Sequence, residues 1–256
     1  MNRLDKLFQQ KQKNILNIYY TAGYPRLDST LNIMKALQGS GADIIELGIP
    51  YSDPLADGET IQNSSSIALK NGMTIKKLFE QLDGFRSEIS IPIVLMGYLN
   101  PILQYGFERF CADAAKIGID GLILPDLPAH EFENEYRSIL ENHHLSFIFL
   151  VTPETSEERV RKLDTLSSGF LYAVSSSSTT GNEKDFGVVV KYLQKLQSYN
   201  LKNPVLVGFG IKDKQTFSEA CCFANGAIIG SAFIKAIGKA ASEAEAAESF
   251  VESIIN

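Results

Sequence analysis

The sequence is short of cysteine. Its three, Cys111, Cys221 and Cys222, form no CxxC pair and no cluster with histidine. An odd count without metal-ligand spacing argues against both a disulfide framework and a zinc site. Cys221 and Cys222 read instead as small apolar side chains on a helix. Histidine is equally sparse. His130, His143 and His144 fall in expected helical or surface segments, away from every motif below, and are assigned no role. No apolar run approaches the roughly 20 residues of a membrane-spanning helix. The N-terminus, MNRLDKLFQQKQKN, is polar and charged, with Leu4, Leu7 and Phe8 at i, i+3 and i+4. That spacing predicts a short amphipathic helix rather than a signal peptide, and a cytoplasmic, reduced setting is the default expectation. Lys and Arg number 24 against 30 acidic residues, a formal net charge of -6, and they are scattered. Without a basic stripe a nucleic-acid partner is not expected, whereas a small anion could still be held by local backbone N–H groups. No Pro/Gly/Ser-rich linker, charge block or composition shift divides the 256 residues. One domain over 1–256 is therefore expected.

What the chain does have is a recurring pattern of short apolar runs: ILNIYY (15–20), ADIIELG (42–48), IPIVLMGY (91–98), IDGLILP (119–125), LSFIFLV (145–151), GFLYAV (169–174), NPVLVGFG (203–210) and GAIIGS (226–231). Each is nearly continuous in apolarity, as a parallel strand covered on both faces should be. Amphipathic stretches lie between them; Leu31, Ile33, Met34 and Leu37 form one apolar face, and Val188, Val189, Tyr192, Leu193 and Leu196 another. Eight strands alternating with helices favour a closed (β/α)8 TIM barrel, with the N-terminal helix as an extra, over an open doubly wound sheet. No GxGxxG follows the first strand, which counts against a dinucleotide fold.

A barrel places its chemistry after the C-terminal ends of the strands. GFG closes the seventh run and GS the eighth, each before an expected helix. Singly these glycines would make tight βα turns. Together, at the ends of adjacent strands, Gly210, Gly230 and Ser231 read as a phosphate cradle. Glu46 sits inside an apolar strand, where an unpaired charge is costly on either face. It is either a structural carboxylate satisfied by a hydroxyl or backbone group, or an acid/base whose pKa burial raises toward neutrality. Asp53 and Asp57, in the following loop, read on spacing alone as turn residues.

The segment ELGIPYSDPLADGETIQ (46–62) resembles the signature of the tryptophan synthase alpha family. YYTAGYP (19–25), MGYLNPI (96–102), LILPDLP (122–128), FLVTPET (149–155), GFGI (208–211) and IIGSAFIK (228–235) match in the same order. The resemblance spans essentially the whole chain. It implies cleavage of indole-3-glycerol phosphate to indole and glyceraldehyde 3-phosphate, with no metal and no cofactor. It further implies that the indole passes to a beta subunit in an alpha2–beta2 assembly. Glu46 then corresponds to the general acid/base, and Asp57 to the carboxylate that accepts the indole N–H. Tyr19, Leu95, Tyr98, Leu124 and Tyr172 would line the substrate pocket. Thr180 would contact Asp57 on loop closure, and Gly181, Gly210, Gly230 and Ser231 would bind phosphate. Pro50, Asp53, Pro54 and Asn100 lie where the family docks its partner.

Two departures stand out. Ser175–Ser178 replace a stretch where many members carry Arg and Gly, and the run reads as a mobile lid before Gly181. Glu59 stands where proline is frequent, and its charge is expected to raise the pKa of Asp57. Two other readings compete: a non-catalytic allosteric partner subunit of the same fold, and another sugar-phosphate barrel enzyme. Intact Glu46 and Asp57 speak against the first. The absence of a Schiff-base lysine in the expected strands speaks against an aldolase.

Overall fold

The computed structural model describes residues 2–55, 57–174, 186–208 and 210–256. The apolar runs become parallel strands, trimmed at their ends: β1 (Ile15–Thr21), β2 (Ile44–Gly48), β3 (Ile93–Met96), β4 (Gly121–Ile123), β5 (Ser146–Phe147), β6 (Leu150–Val151), β7 (Leu171–Val174), β8 (Val205–Gly208) and β9 (Gly226–Ile229). They pair in the order β5-β4-β3-β2-β1-β9-β8-β7-β6. All seven residues of β1 and all five of β2 are buried, because the barrel interior covers one face and the surrounding helices the other.

The run at 145–151, expected as one strand, is divided. β5 pairs with β4, and β6 with β7. Between them the Ile148 N–H still reaches Leu122 O at 3.0 Å, while Phe149 O accepts the Tyr172 N–H at 3.0 Å. The chain thus hands its hydrogen bonding from one neighbour to the other within a few residues. Both ends of the strand order are therefore one segment, and the sheet closes on itself as a (β/α)8 barrel.

The extra helix expected at the N-terminus is present as Arg3–Gln10, opened by a capping box between Asn2 and Asp5. Its Leu4 is fully buried, Phe8 packs 6.2 Å from Phe170, and Asn2 Nδ2 donates to Ser146 Oγ at 2.7 Å. Phe170 and Ser146 sit where strands begin, so this helix closes the N-terminal end of the barrel. Beneath it Asp120, 2% exposed, pairs with Arg3 and Arg86 and accepts the Ile93 N–H at 2.9 Å. Arg86 also donates to Gly118 O and Ile91 O. Burial pushes its guanidinium down to about 10, against the pull of Asp120.

Helix Lys214–Phe223 carries the adjacent cysteines on different faces: Cys221 is buried, but Cys222 is exposed. The expectation of two packed side chains holds for the first alone, since successive helical residues point about 100° apart. No helix among the described residues is long and apolar enough to cross a membrane.

Candidate active site

Residues paired across parallel strands point to the same face. Tyr19 pairs with Glu46, and Glu46 with Val94; Tyr172 pairs with Leu150 on one side and Leu206 on the other. Two glycines make room for the rings. A Cβ on Gly48 would lie 2.4 Å from the Tyr19 hydroxyl, and one on Gly208 would lie 2.3 Å from that of Tyr172. Burial raises the Tyr172 hydroxyl well above its ordinary value, with Glu46, Tyr19 and Asp57 adding to the shift. The four side chains therefore share one interior.

Glu46 is fully buried. Its Oε2 accepts Asn17 Nδ2 at 3.0 Å, and its Oε1 has no hydrogen-bond partner among the described residues. Desolvation raises its pKa to about 8; the Asn17 bond opposes the rise and the nearby Asp57 charge adds to it. The structural alternative is thus only half met, by an amide rather than by a hydroxyl or backbone group. Asn17 was not among the sequence candidates. Its signal is a polar residue inside the apolar run ILNIYY, two positions before Tyr19 and hence on the same face.

Asp57 also has a raised pKa, through burial first, with a hydrogen bond from Tyr98 pulling it back. Glu59 does not contribute to this shift. Its side chain is exposed in the first turn of helix Glu59–Lys70, where water screens it, which corrects the expectation for that residue. Gln62 Nε2 holds the Asp57 carbonyl at 2.7 Å. The Thr21 and Ser64 hydroxyls, 2.6 Å apart, tie the end of β1 to the same helix.

Tyr19, Tyr98 and Tyr172 are buried at this end of the barrel, 6%, 5% and 5% exposed. Leu95 and Leu124 are placed differently from the expectation. Val94 shares the register of Glu46, and Met96 that of Gly48, so Leu95 between them faces the helices. Met96 pairs with Ile123 and Leu95 with Leu122, so by alternation Leu124 falls on the Leu95 side. The interior residues at these levels are Met96 and Ile123, one position from those expected. Counting in twos from Glu46 across the ladder would have found them.

Gly210 adopts φ 78°, a conformation that favours glycine. Gly230 precedes helix Ser231–Gly238, whose N-terminus has no side-chain cap; its first N–H groups are therefore open to an acceptor. Gly230 also lies against Tyr19, since a Cβ there would sit 3.1 Å from the ring. Ser231 is exposed at this helix start. Thr180, Gly181 and Ser175–Ser178 lie outside the described residues.

Among the positions expected at a partner face, Asp53 and Asn100 are exposed and Pro54 is half-buried, whereas Pro50 is buried. Asn100 Nδ2 donates to the Tyr51 hydroxyl at 3.2 Å, and the Tyr51 ring lies 5.3 Å from that of Tyr98. Leu55, which sequence reasoning passed over, is 83% exposed in the same loop. A groove of about 200 Å³ lined by Lys13, Asn203 and Asn225 lies at the opposite, N-terminal end of the strands, away from Glu46.

The family profile described as "Tryptophan synthase alpha chain" matches residues 5–255. The tryptophan synthase alpha chain of Parabacteroides distasonis is 50% identical over 255 residues, covering 99% of each chain. That of Phocaeicola vulgatus is 50% identical over 258 residues, covering 100% of each. Among solved structures, tryptophan synthase subunit alpha from Legionella pneumophila superposes with a TM-score of 0.91 at 35% identity, covering 99% of this chain and 97% of that one. A chain of aminoacrylate-bound tryptophan synthase from M. tuberculosis gives 0.87 at 30% identity, covering 99% and 98%. With whole-chain agreement in sequence and in fold, around a barrel whose carboxylates converge at one end, the chain belongs to the tryptophan synthase alpha chain family.

Proposed function

We propose that the chain cleaves indole-3-glycerol phosphate into indole and glyceraldehyde 3-phosphate. The observation that carries the reading is Glu46: a fully buried carboxyl raised to about 8, with one oxygen that has no partner among the described residues and Asp57 close enough to perturb it. At neutral pH such a group is an acid ready to give its proton. It protonates C3 of the indole ring. Asp57, held by Tyr98, accepts the ring N–H and stabilises the positive charge that develops there. Glu46, now a carboxylate, takes the proton of the glycerol hydroxyl on C1′. The C3–C1′ bond breaks, the electron pair returns to the ring, and the aldehyde forms. Tyr19, Tyr172, Met96 and Ile123 wall the ring, and apolar and aromatic faces suit a flat heterocycle. The substrate phosphate is received by Gly210, Gly230 and Ser231 at an uncapped helix start, a setting that favours an anion.

The indole is passed to a beta subunit, in an alpha2–beta2 assembly. Supporting that part are the exposed Asp53, Leu55 and Asn100 at the same end of the barrel as Glu46, since a bare apolar side chain at a rim gains from being covered. Residues 1–256 are read as one domain, supported by a single buried cluster running from Leu4 to Ile254.

The test is indole release by the purified chain from indole-3-glycerol phosphate, with and without a cognate beta subunit. The chain contains no tryptophan, so excitation beyond the tyrosine band reports substrate and product indole without background from this chain. Slow cleavage that accelerates with the partner is expected. Substrate binding with no cleavage in either condition would overturn the lyase reading in favour of a binding subunit.

A further inference from the structure

Asn17 and Glu46 are both fully buried and are joined by one hydrogen bond, from Asn17 Nδ2 to Glu46 Oε2 at 3.0 Å. The one side-chain oxygen of Asn17, Oδ1, and the second carboxyl oxygen of Glu46, Oε1, have no hydrogen-bond partner among the described residues. Unpartnered buried acceptors are rare, and each asks for an explanation. Two of them on one bonded pair have a common remedy, a single proton. A carboxylic acid O–H on Oε1 can donate to Oδ1 while the amide N–H continues to donate to Oε2. We propose that Asn17 is a positioning residue that joins the buried, neutral Glu46 in a two-bond acid–amide pair, so that the resting chain carries its transferable proton in a fixed place, on Glu46 Oε1.

The surroundings agree. The titratable groups that act on Glu46, or feel its charge, are Asp57, Tyr19 and Tyr172. None is a cation, so among the described residues only the Asn17 N–H rewards ionisation of Glu46. Once the proton has left, that N–H still anchors Oε2, so the carboxylate keeps its place for the return step. The Oε1–H bond breaks as the C3–H bond of the ring forms, and it forms again as the O–H bond of the C1′ hydroxyl breaks. The catalytic meaning of the stored proton rests on the reading of Glu46 as the acid/base; the position of the proton does not.

The test is infrared spectroscopy of the ligand-free chain, with Glu46→Gln subtracted to isolate the Glu46 carboxyl. A protonated C=O band is expected at pH 7, lost with a midpoint near 8. In Asn17→Leu, of similar shape but without either hydrogen bond, the band should move to higher wavenumber; in Asn17→Ser, which can close only one bond, it should move part of the way. No protonated band at pH 7, or an unmoved band in the Asn17 variants, would overturn the proposal. Should Asn17→Leu fail to fold, the partial shift in Asn17→Ser carries the test of the pair, and absence of a protonated band in the unaltered chain at pH 7 overturns the proposal by itself. Because no turnover is measured, a chain that shows the band but releases no indole would sink the lyase reading and leave this pair standing.

Discussion

Replacing Glu46 by glutamine should abolish cleavage and, at the same time, stabilise the fold. The amide has nearly the shape of the neutral acid and can keep both bonds to Asn17, but it has no proton to lose. Burial sets the proton affinity of Glu46 at about 8 in the folded chain, against the ordinary 4.5 once unfolded. Between those pH values the folded state binds one more proton than the unfolded state, so stability falls as pH rises. The contribution is fully present below 4.5 and is lost as pH climbs through to about 8. At about 1.36 kcal/mol per pH unit, the loss accumulated by pH 7 is of the order of 3 kcal/mol. Urea denaturation followed by circular dichroism from pH 5 to 9 measures it. Relative to its margin at pH 5, Glu46→Gln should exceed the unaltered chain increasingly toward pH 8 and hold a constant margin above. A margin that does not change with pH would refute the reasoning, because Glu46 would then bind its proton equally in both states.

Asp57→Asn should keep the fold and lose about 10²–10³ in kcat, the usual scale for removing one preorganised electrostatic contact; single-turnover indole release checks it. Ser231→Ala should mainly raise KM for the phosphorylated substrate, and a loss confined to kcat would count against its placement. Gly208→Ala forces a Cβ to within 2.3 Å of the Tyr172 hydroxyl, so the ring must move; KM should rise several-fold or more while circular dichroism stays barrel-like. Arg86→Leu leaves Asp120 with only the half-exposed Arg3 as cation. Breaking a buried pair in this way should cost about 3–5 kcal/mol in a denaturant titration, with little change in KM for the protein that remains folded.

The barrel was legible in the chain because two-sided burial writes each parallel strand as a continuous apolar run, and loops and amphipathic helices punctuate the runs. Glu46 was legible for the same reason: a carboxyl has no cheap place in such a strand. The glycines after the seventh and eighth runs stood out by position. The assignment of Asp57 came from resemblance alone, since a loop aspartate before glycine reads as a turn.

The same continuity concealed which face each residue takes. A strand apolar on both sides has no alternation to count, so Leu95 and Met96, or Ile123 and Leu124, are equivalent until the ladder fixes their register against Glu46. The break at Ile148 and Phe149 follows from closing the sheet, a constraint between β4 and β7 that no local pattern contains. The bond between Asn17 and Glu46 joins neighbouring strands 29 residues apart. Composition and periodicity therefore determined the elements and the odd carboxylate among them. Only tertiary pairing decided its partners and its proton affinity, because register and desolvation are properties of what surrounds a residue in space.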